Sequence, residues 1–350
     1  MHVIDAGRLR QIASDLLEAA GTPPANAKLI GDSLIDANLA GHDSHGILRL
    51  PFYLRSVVNG RVNPSAEPCI VSQSNATAVI DANHGWGQTA MWLATKTATK
   101  LAAEYGIAAA AVRHSFHIGR VAPYVESVAR AGMIGIAMAN AAPAVAPYGS
   151  RQRIFGTNPI AWAAPRADGN EPVCLDVATS TLAEGKLQVA RAQGEPIAPG
   201  AVVTSEGIPS VDPNDFYDGG ALLTFGGHKG SGMSLLAQLI GRGIAGLDPS
   251  GMDGPRGVNG PFIIAINLEP FVPLVQFVAA TEAQCQAIKD SAPASGFEEV
   301  LLPGEPELTN ARRRSVEGIP IPDAIWENLQ AAAGELGVSL ESVGKGVERK

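Results

Sequence analysis

The sequence predicts an α/β (α+β) protein: a mainly helical domain drawn from residues 1–68 plus 271–350, and an α/β domain of residues 69–270. Three observations carry this. The first sixty residues place apolar side chains at helical spacing, the middle alternates strand-like and helix-like runs, and helical texture returns from about Phe271. At 350 residues the chain also exceeds what one hydrophobic core usually organises.

The elements follow in order. Asp5 can cap a helix carrying Leu9, Ile12, Ala13, Leu16 and Leu17, which Gly21 ends. Pro24 opens a second helix through Ala27, Ile30 and Leu34 to about Ala40. The stretch GHDSHGIL then leads into a third helix near Arg49–Val58, stopped by Asn59-Gly60, with Pro64 and Pro68 marking a linker. Beyond it, strand-like runs at Thr77–Asp81, Ala108–Arg113, Met133–Ala139 and Ile160–Ala164 alternate with helical ones at Gln88–Tyr105, Arg120–Ala131 and Leu182–Arg191. A long helical pattern over His228–Ile244 and a buried strand at Phe262–Leu268 close this part, and the last helices are separated by LLPGEPEL.

Composition removes several classes of function. Hydrophobic residues make up 46% and charged ones 17%, ample material for a packed interior. A net charge of −8 with no long basic run argues against nucleic acid as partner. The short cluster Arg312-Arg313-Arg314, among acidic neighbours, reads as a solvated helix face. Three widely spaced cysteines (Cys69, Cys174, Cys285) form no CxxC pair, which suits a reducing cytoplasm and suggests neither a disulfide framework nor a zinc knuckle. Neither a signal peptide nor a membrane span is expected.

Three motifs invite more than they support. GRGIAG at 241–246 matches the dinucleotide fingerprint letter for letter, yet it ends a helical pattern where the fingerprint needs a strand first. GGHKGS at 226–231 misses the phosphate-loop spacing, although glycines flanking a lysine at a helix start form a reasonable anion cradle. His42-x-x-His45 and His114-x-x-His117 could each set two imidazoles on one helical face, with Asp43 or Asp176 to supply a third ligand, but nothing else in the sequence supports a metal and none is expected.

The chemistry concentrates elsewhere. His45 and His117 can each exchange a proton near neutral pH. Arg49, four residues after His45, would share its face in a helix beginning there, and a guanidinium in an apolar run calls for a carboxylate partner. Asp176, after the apolar run Pro172–Leu175, could orient an imidazole, and Ser44 could relay a proton. A histidine beside glycine can equally serve as a turn cap. Five of the seven histidines (His42, His45, His84, His117, His228) lie within two residues of a glycine, which favours exposed backbone over core packing.

At this point a resemblance becomes visible. GHDSHGILRLPFYLRSVVNGRVNP, HIGRVAPYVESVARAGMIGIAMAN, VAPYGSRQRIFGTNPIAWAAP, LDVATSTLAEGK, GGHKGSGMSLLAQLI and LLPGEPEL resemble, in order, blocks of the malate/L-lactate dehydrogenase family that lacks a standard Rossmann fold. AGHDSHGI, HIGR and LLTF followed closely by HKG are most similar to its hydroxycarboxylate dehydrogenase B branch. The resemblance implies a homodimer and a NAD(P)-binding domain with a mixed, largely antiparallel sheet, here residues 69–270. It implies His117 as acid/base, Ser44, His45 and Asp176 as a proton-relay group, Arg49 as the substrate-carboxylate contact, and Thr157 and Asn158 beside the substrate. Asn140, Asp176, Ala178, Thr179, His228, Lys229, Pro303, Gly304 and Glu305 match cofactor-binding positions. Two departures stand out: Pro147-Tyr148-Gly149-Ser150 where the family reads P-x-G-G, and Ser231 in HKGSG, a feature of the imine-reducing branch.

The expected function is hydride transfer between NAD or NADP and C2 of a small 2-hydroxy or 2-oxo acid, with a small carboxylate as substrate. The rivals are a reductase of cyclic 2-imino acids, a serine hydrolase built on Ser44 and His45, and a binding protein without turnover.

Overall fold

The computed structural model describes residues 1–246, 259–338 and 340. Residues 247–258 of the expected α/β domain, and 339 and 341–350 of the helical one, lie outside the described residues.

Strand β1 (His2–Ile4) precedes helices α1 (Ala6–Ala19) and α2 (Pro24–Leu39). Asp5 does cap α1, its carboxylate accepting from Arg8 N at 3.0 Å. Two 3-10 turns, Asp43–His45 and Ile47–Arg49, lead into α3 (Leu50–Val58). The middle supplies β2 (Cys69–Ser74), β3 (Thr77–Asp81), α4 (Gly87–Tyr105), β4 (Ile107–Arg113), α5 (Ala122–Arg130), β5 (Met133–Met138), β6 (Ile160–Ala164) and β7 (Val173–Val177). After α6 (Glu184–Gln193), the two-residue strands β8 (Val202–Val203), β9 (Pro209–Ser210) and β10 (Ala221–Leu222), with α7 (Pro213–Tyr217) between the last two, form a small sheet. The remainder is α8 (His228–Gln238), continued by a π-turn at Leu239–Gly243, then β11 (Phe262–Asn267), α9 (Leu274–Lys289), α10 (Glu305–Glu317), β12 (Ile319–Ile321) and α11 (Asp323–Glu335).

The main sheet has seven strands in the order β2-β3-β4-β11-β5-β6-β7. Only β3 and β4 pair in parallel: β11 returns late in the chain to sit antiparallel between β4 and β5, and the consecutive strands β2–β3, β5–β6 and β6–β7 pair antiparallel. This is the mixed, largely antiparallel α/β sheet the sequence predicts, and no doubly wound order. Alanines at 108, 110 and 111 keep β4 thin, so α4, itself lined by Ala90, Ala94, Ala98 and Ala102, packs closely on it.

The chain ends build a second core. Leu9, Ile12, Leu16 and Leu17 of α1, Ile30 and Leu34 of α2, and Leu50, Tyr53 and Leu54 of α3 cluster with Ile319, Ile321 and Leu329. β1 pairs antiparallel with β12, joining the two termini. Trp86 and Phe116, from connections of the sheet, insert into this helical core, so the segment just before His117 is held by both units. α9 instead lies by the sheet edge, where Cys285 packs on Val173 and Glu282 pairs with Arg166 at 2.8 Å.

One expectation about the basic cluster is corrected. Arg312 and Arg313 are exposed on α10, but Arg314 turns inward, because Asp43 offers its carboxylate to Nη1 and Nη2 at 2.7 and 3.0 Å.

Candidate active site

The site begins with the turn after α2. The sequence expectation that His45 and Arg49 share one helix is overturned: Gly46 is extended (φ −88°, ψ −153°) and splits the segment into two turns. The cause is Asn38. Its carboxamide accepts from Ile47 N at 2.7 Å and donates to Asp43 Oδ1 at 2.6 Å, occupying the space a Cβ on Gly46 would need. The two side chains meet by another route. Arg49 folds back and its Nε donates to the Ser44 carbonyl at 2.7 Å, which leaves both terminal nitrogens for another acceptor. Asp43 is thus the anchor of the turn, held by Asn38 and Arg314, and His42 Nε2 adds a tie to Glu307 Oε1 at 3.1 Å.

His117 comes from the β4–α5 connection and stacks on His45, ring centroids 5.7 Å apart. Ser44 Oγ lies 3.0 Å from His45 Nδ1, and Tyr53 Oη lies 2.7 Å from His117 Nδ1. Desolvation, then the Arg49 charge, hold His45 down at about 3, with His42 and Arg120 adding to the effect. The same first two causes, followed by His45, push His117 well below the ordinary histidine range. Both imidazoles are therefore neutral at physiological pH.

The two histidines of each spaced pair turn to different partners. His114 turns to Asp81 at 3.0 Å while His117 faces Tyr53, and His42 faces Glu307 while His45 faces Ser44. Among the described residues, no group of three or more His, Cys, Asp or Glu side chains is arranged to hold a metal.

A cavity of about 480 Å³ opens beside the turn, lined by Ser44, His45, Arg120, Thr157, Asp176 and Ala178, with Lys186 on its far wall. Its wall from α6 comes close because residue 185 is glycine, where a Cβ would collide with Ser44 Cβ. Asp176 makes no hydrogen bond to either imidazole: Oδ2 accepts from Val121 N and Ala122 N at 2.9 and 2.8 Å, tying down the start of α5, and lies 3.9 Å from Arg120 Nε. Thr157 accepts from Thr179 through its carbonyl. Asn158, fully buried, donates to Ser234 and Gln238 of α8 and accepts from Ala141 N at 3.0 Å, so its amide is committed to protein. Asn140 accepts from Gly260 N at 2.6 Å.

The remaining positions lie around this centre. His228 and Lys229 are exposed at the start of α8, near a second cavity of about 720 Å³ lined by Tyr148, Gly226 and Gly227. Pro303 O accepts from Cys174 N at 3.2 Å, Gly304 lies against Cys174 on β7, and Glu305 pairs with Lys289 at 2.9 Å. Sequence reasoning missed Tyr53, Gln88, Arg120 and Lys186. Tyr53 sits in an apolar run with core spacing, and the arginine of HIGR is an isolated charge without a partner pattern.

Known proteins resemble the chain over nearly its whole length. Residues 4–330 match the malate/L-lactate dehydrogenase family. The chain is 35% identical to hydroxycarboxylate dehydrogenase B of Escherichia coli strain K12, over 98% of this chain and 96% of that one. It superposes on the sulfolactate dehydrogenase structure of Methanocaldococcus jannaschii with TM-score 0.88 at 34% identity, covering 98% of this chain and 99% of that one. It superposes on the Δ1-piperideine-2-carboxylate reductase of Pseudomonas syringae with TM-score 0.85 at 32% identity, covering 95% of this chain and 100% of that one.

Proposed function

Because the chain belongs to the malate/L-lactate dehydrogenase family, we propose that it transfers a hydride between NAD or NADP and C2 of a small 2-hydroxy acid or its 2-oxo partner. The observation that supports this most is that His45, on the wall of the cavity, stacks on His117, with Arg49 folded back on the same turn through the Ser44 carbonyl. When bound, the nicotinamide supplies or receives the hydride at C2. The residues around the cavity suit such a group. Arg120 Nε is buried without a hydrogen bond, its guanidinium held only at 3.8 and 3.9 Å from Glu126 and Asp176, α6 opens with no side-chain cap, and Lys186 adds a cation, a setting apt for an anionic diphosphate. Ala178 and Thr179 at the end of β7, with His228, Lys229 and the Pro303–Glu305 loop, complete the proposed cofactor set.

His117 takes the hydroxyl proton as C2 is oxidised and returns it on reduction. Arg49, fixed through Nε, holds the C1 carboxylate with its two free nitrogens, so C2 presents one face to the ring. A carboxylate there also offsets the charge that depresses His117, which makes substrate binding favour the proton-bearing imidazole. Ser44 and His45 relay or tune that proton. Asp176 contributes by fixing the α5 end of the segment that carries His117, and Asn158 by bracing α8 beside Thr157.

The reading extends to assembly. α8 and the π-turn after it leave Met233, Leu235, Leu236 and Leu239 exposed, an apolar stripe suited to a second copy in a homodimer. Three free cysteines suit a cytoplasmic enzyme. Residues 1–68 with 271–350 would form the helical domain and 69–270 the cofactor and substrate domain, α9 reaching across to the sheet.

A substrate panel followed by NAD(P)H absorbance tests the proposal. Oxidation of the cofactor with 2-oxo acids is the expected result; activity with cyclic imines alone would replace it by the second reading, which the piperideine-2-carboxylate reductase relative favours. Fluorophosphonate labelling of Ser44 with no response to nicotinamide nucleotides would point to a hydrolase instead.

A further inference from the structure

Behind His117 lies a chain of hydrogen bonds that the mechanism above leaves unused. Gln88, wholly buried, donates from Nε2 to Tyr53 Oη at 3.0 Å, and Tyr53 Oη lies 2.7 Å from His117 Nδ1. Gly119 N donates to the same Nδ1 at 3.2 Å. A backbone N–H can only donate, so Nδ1 is an acceptor. With Gln88 already donating to the phenol oxygen, the Tyr53 hydrogen also turns to Nδ1. The single proton of the neutral ring then resides on Nε2, which makes no hydrogen bond to protein among the described residues.

A second observation concerns the other end of this chain. Gln88 Oε1 is buried and has no partner, an arrangement that costs stability unless the group serves another state. We infer that Gln88 and Tyr53 are positioning residues that set which nitrogen of His117 carries its proton, with Gln88 Oε1 as the acceptor for the alternative setting. In the resting setting, Nε2–H is a donor suited to a 2-oxo group. In the alternative, the Gln88 amide end turns over, Tyr53 O–H donates to Oε1, and the Tyr53 oxygen accepts from Nδ1–H. Nε2 then offers its lone pair: the alcohol O–H bond breaks, the N–H bond forms, and the C2–H electron pair leaves as hydride to the nicotinamide. Tyr53 and Gln88 neither gain nor lose a proton in this sequence. The Gly119 N–H opposes a proton on Nδ1, which keeps the first setting at rest.

The inference rests on His117 being the acid/base, and the test separates the two. Nitrogen-15 NMR of the imidazoles in the full-length, ligand-free enzyme reads the tautomer directly. Wild type should show an unprotonated Nδ1 and a protonated Nε2 for His117. Tyr53→Phe keeps the ring contacts with Phe52, Trp86 and Phe116 and removes the hydroxyl that donates to Nδ1 in the first setting and accepts from Nδ1–H in the second; Gly119 N–H alone then faces Nδ1, so any Nδ1–H form of the wild type should be lost. Gln88→Met should move the population in the same direction, less far. With 2-oxo acids, Tyr53→Phe should lower kcat by about three- to tenfold, the weight of one neutral hydrogen bond, with nicotinamide affinity unchanged. A predominantly protonated Nδ1 in wild type, or a rise of the Nδ1–H form in Tyr53→Phe, would overturn the inference. Full turnover in His117→Ala would instead remove the acid/base reading, leaving the tautomer measurement intact.

Discussion

Replacing Arg49 by lysine keeps the charge and removes the fork. In the structure the guanidinium is held by Nε to the Ser44 carbonyl at 2.7 Å, which leaves its two terminal nitrogens for a carboxylate. Lysine has no equivalent of Nε. Its ammonium loses either the Ser44 anchor or one of the two parallel bonds to the ligand. A hydrogen bond to a charged group contributes about 1.5–3 kcal/mol, and each 1.4 kcal/mol is about tenfold in affinity. Arg49→Lys should therefore raise KM for 2-oxo acids by about 10- to 100-fold, with a smaller effect on KM for the nicotinamide. Steady-state assays at saturating cofactor measure this. A KM for the acid within about twofold of wild type would show that the clamp does not hold the substrate.

Three further outcomes follow from the same geometry. Arg314→Met leaves the Asp43 carboxylate with Asn38 alone; because Asp43 keeps contact with water, the cost should be about 1–3 kcal/mol in urea unfolding. Gly185→Ala drives α6 off Ser44, so turnover should fall at least about tenfold while the far-UV spectrum stays native; unchanged kinetics would show that the turn tolerates the shift. His45 and His117 bind protons less readily folded than unfolded, so their contribution to stability is complete above about pH 6.5 and is lost as pH falls toward about 3. Urea midpoints should decline between about pH 6.5 and 5, before most carboxylates titrate; a flat profile there would contradict the depressed values.

The sheet was legible because its strands alternate or run apolar between glycine and proline stops, and the helices because caps such as Asp5 and Pro24 declare themselves locally. Strand order was not. β11 lies between β4 and β5 through pairings that span more than a hundred residues, and no local pattern encodes that. The same limit applies to Arg314. Its neighbours Arg312 and Arg313 are solvated as the charge pattern suggests, whereas its own side chain is drawn inward by a carboxylate 271 positions earlier. Tyr53 looked like core and is core; only its hydroxyl, aimed at His117, sets it apart. The break at Gly46 depended on a carboxamide from the preceding helix, so a helix drawn through His45 and Arg49 was the reasonable local expectation and the wrong one.

The pairing of β1 with β12 also bears on how the polypeptide comes into being. A chain emerging from the ribosome holds its first strand without a mate until Ile319–Ile321 have followed it out. The seven-stranded sheet, finished by Asn267, can close well before then. The helical half, with the turn that Arg314 secures, is thus the last part to be completed, and a ribosome stalled near residue 300 would display a formed sheet beside an unassembled reaction centre.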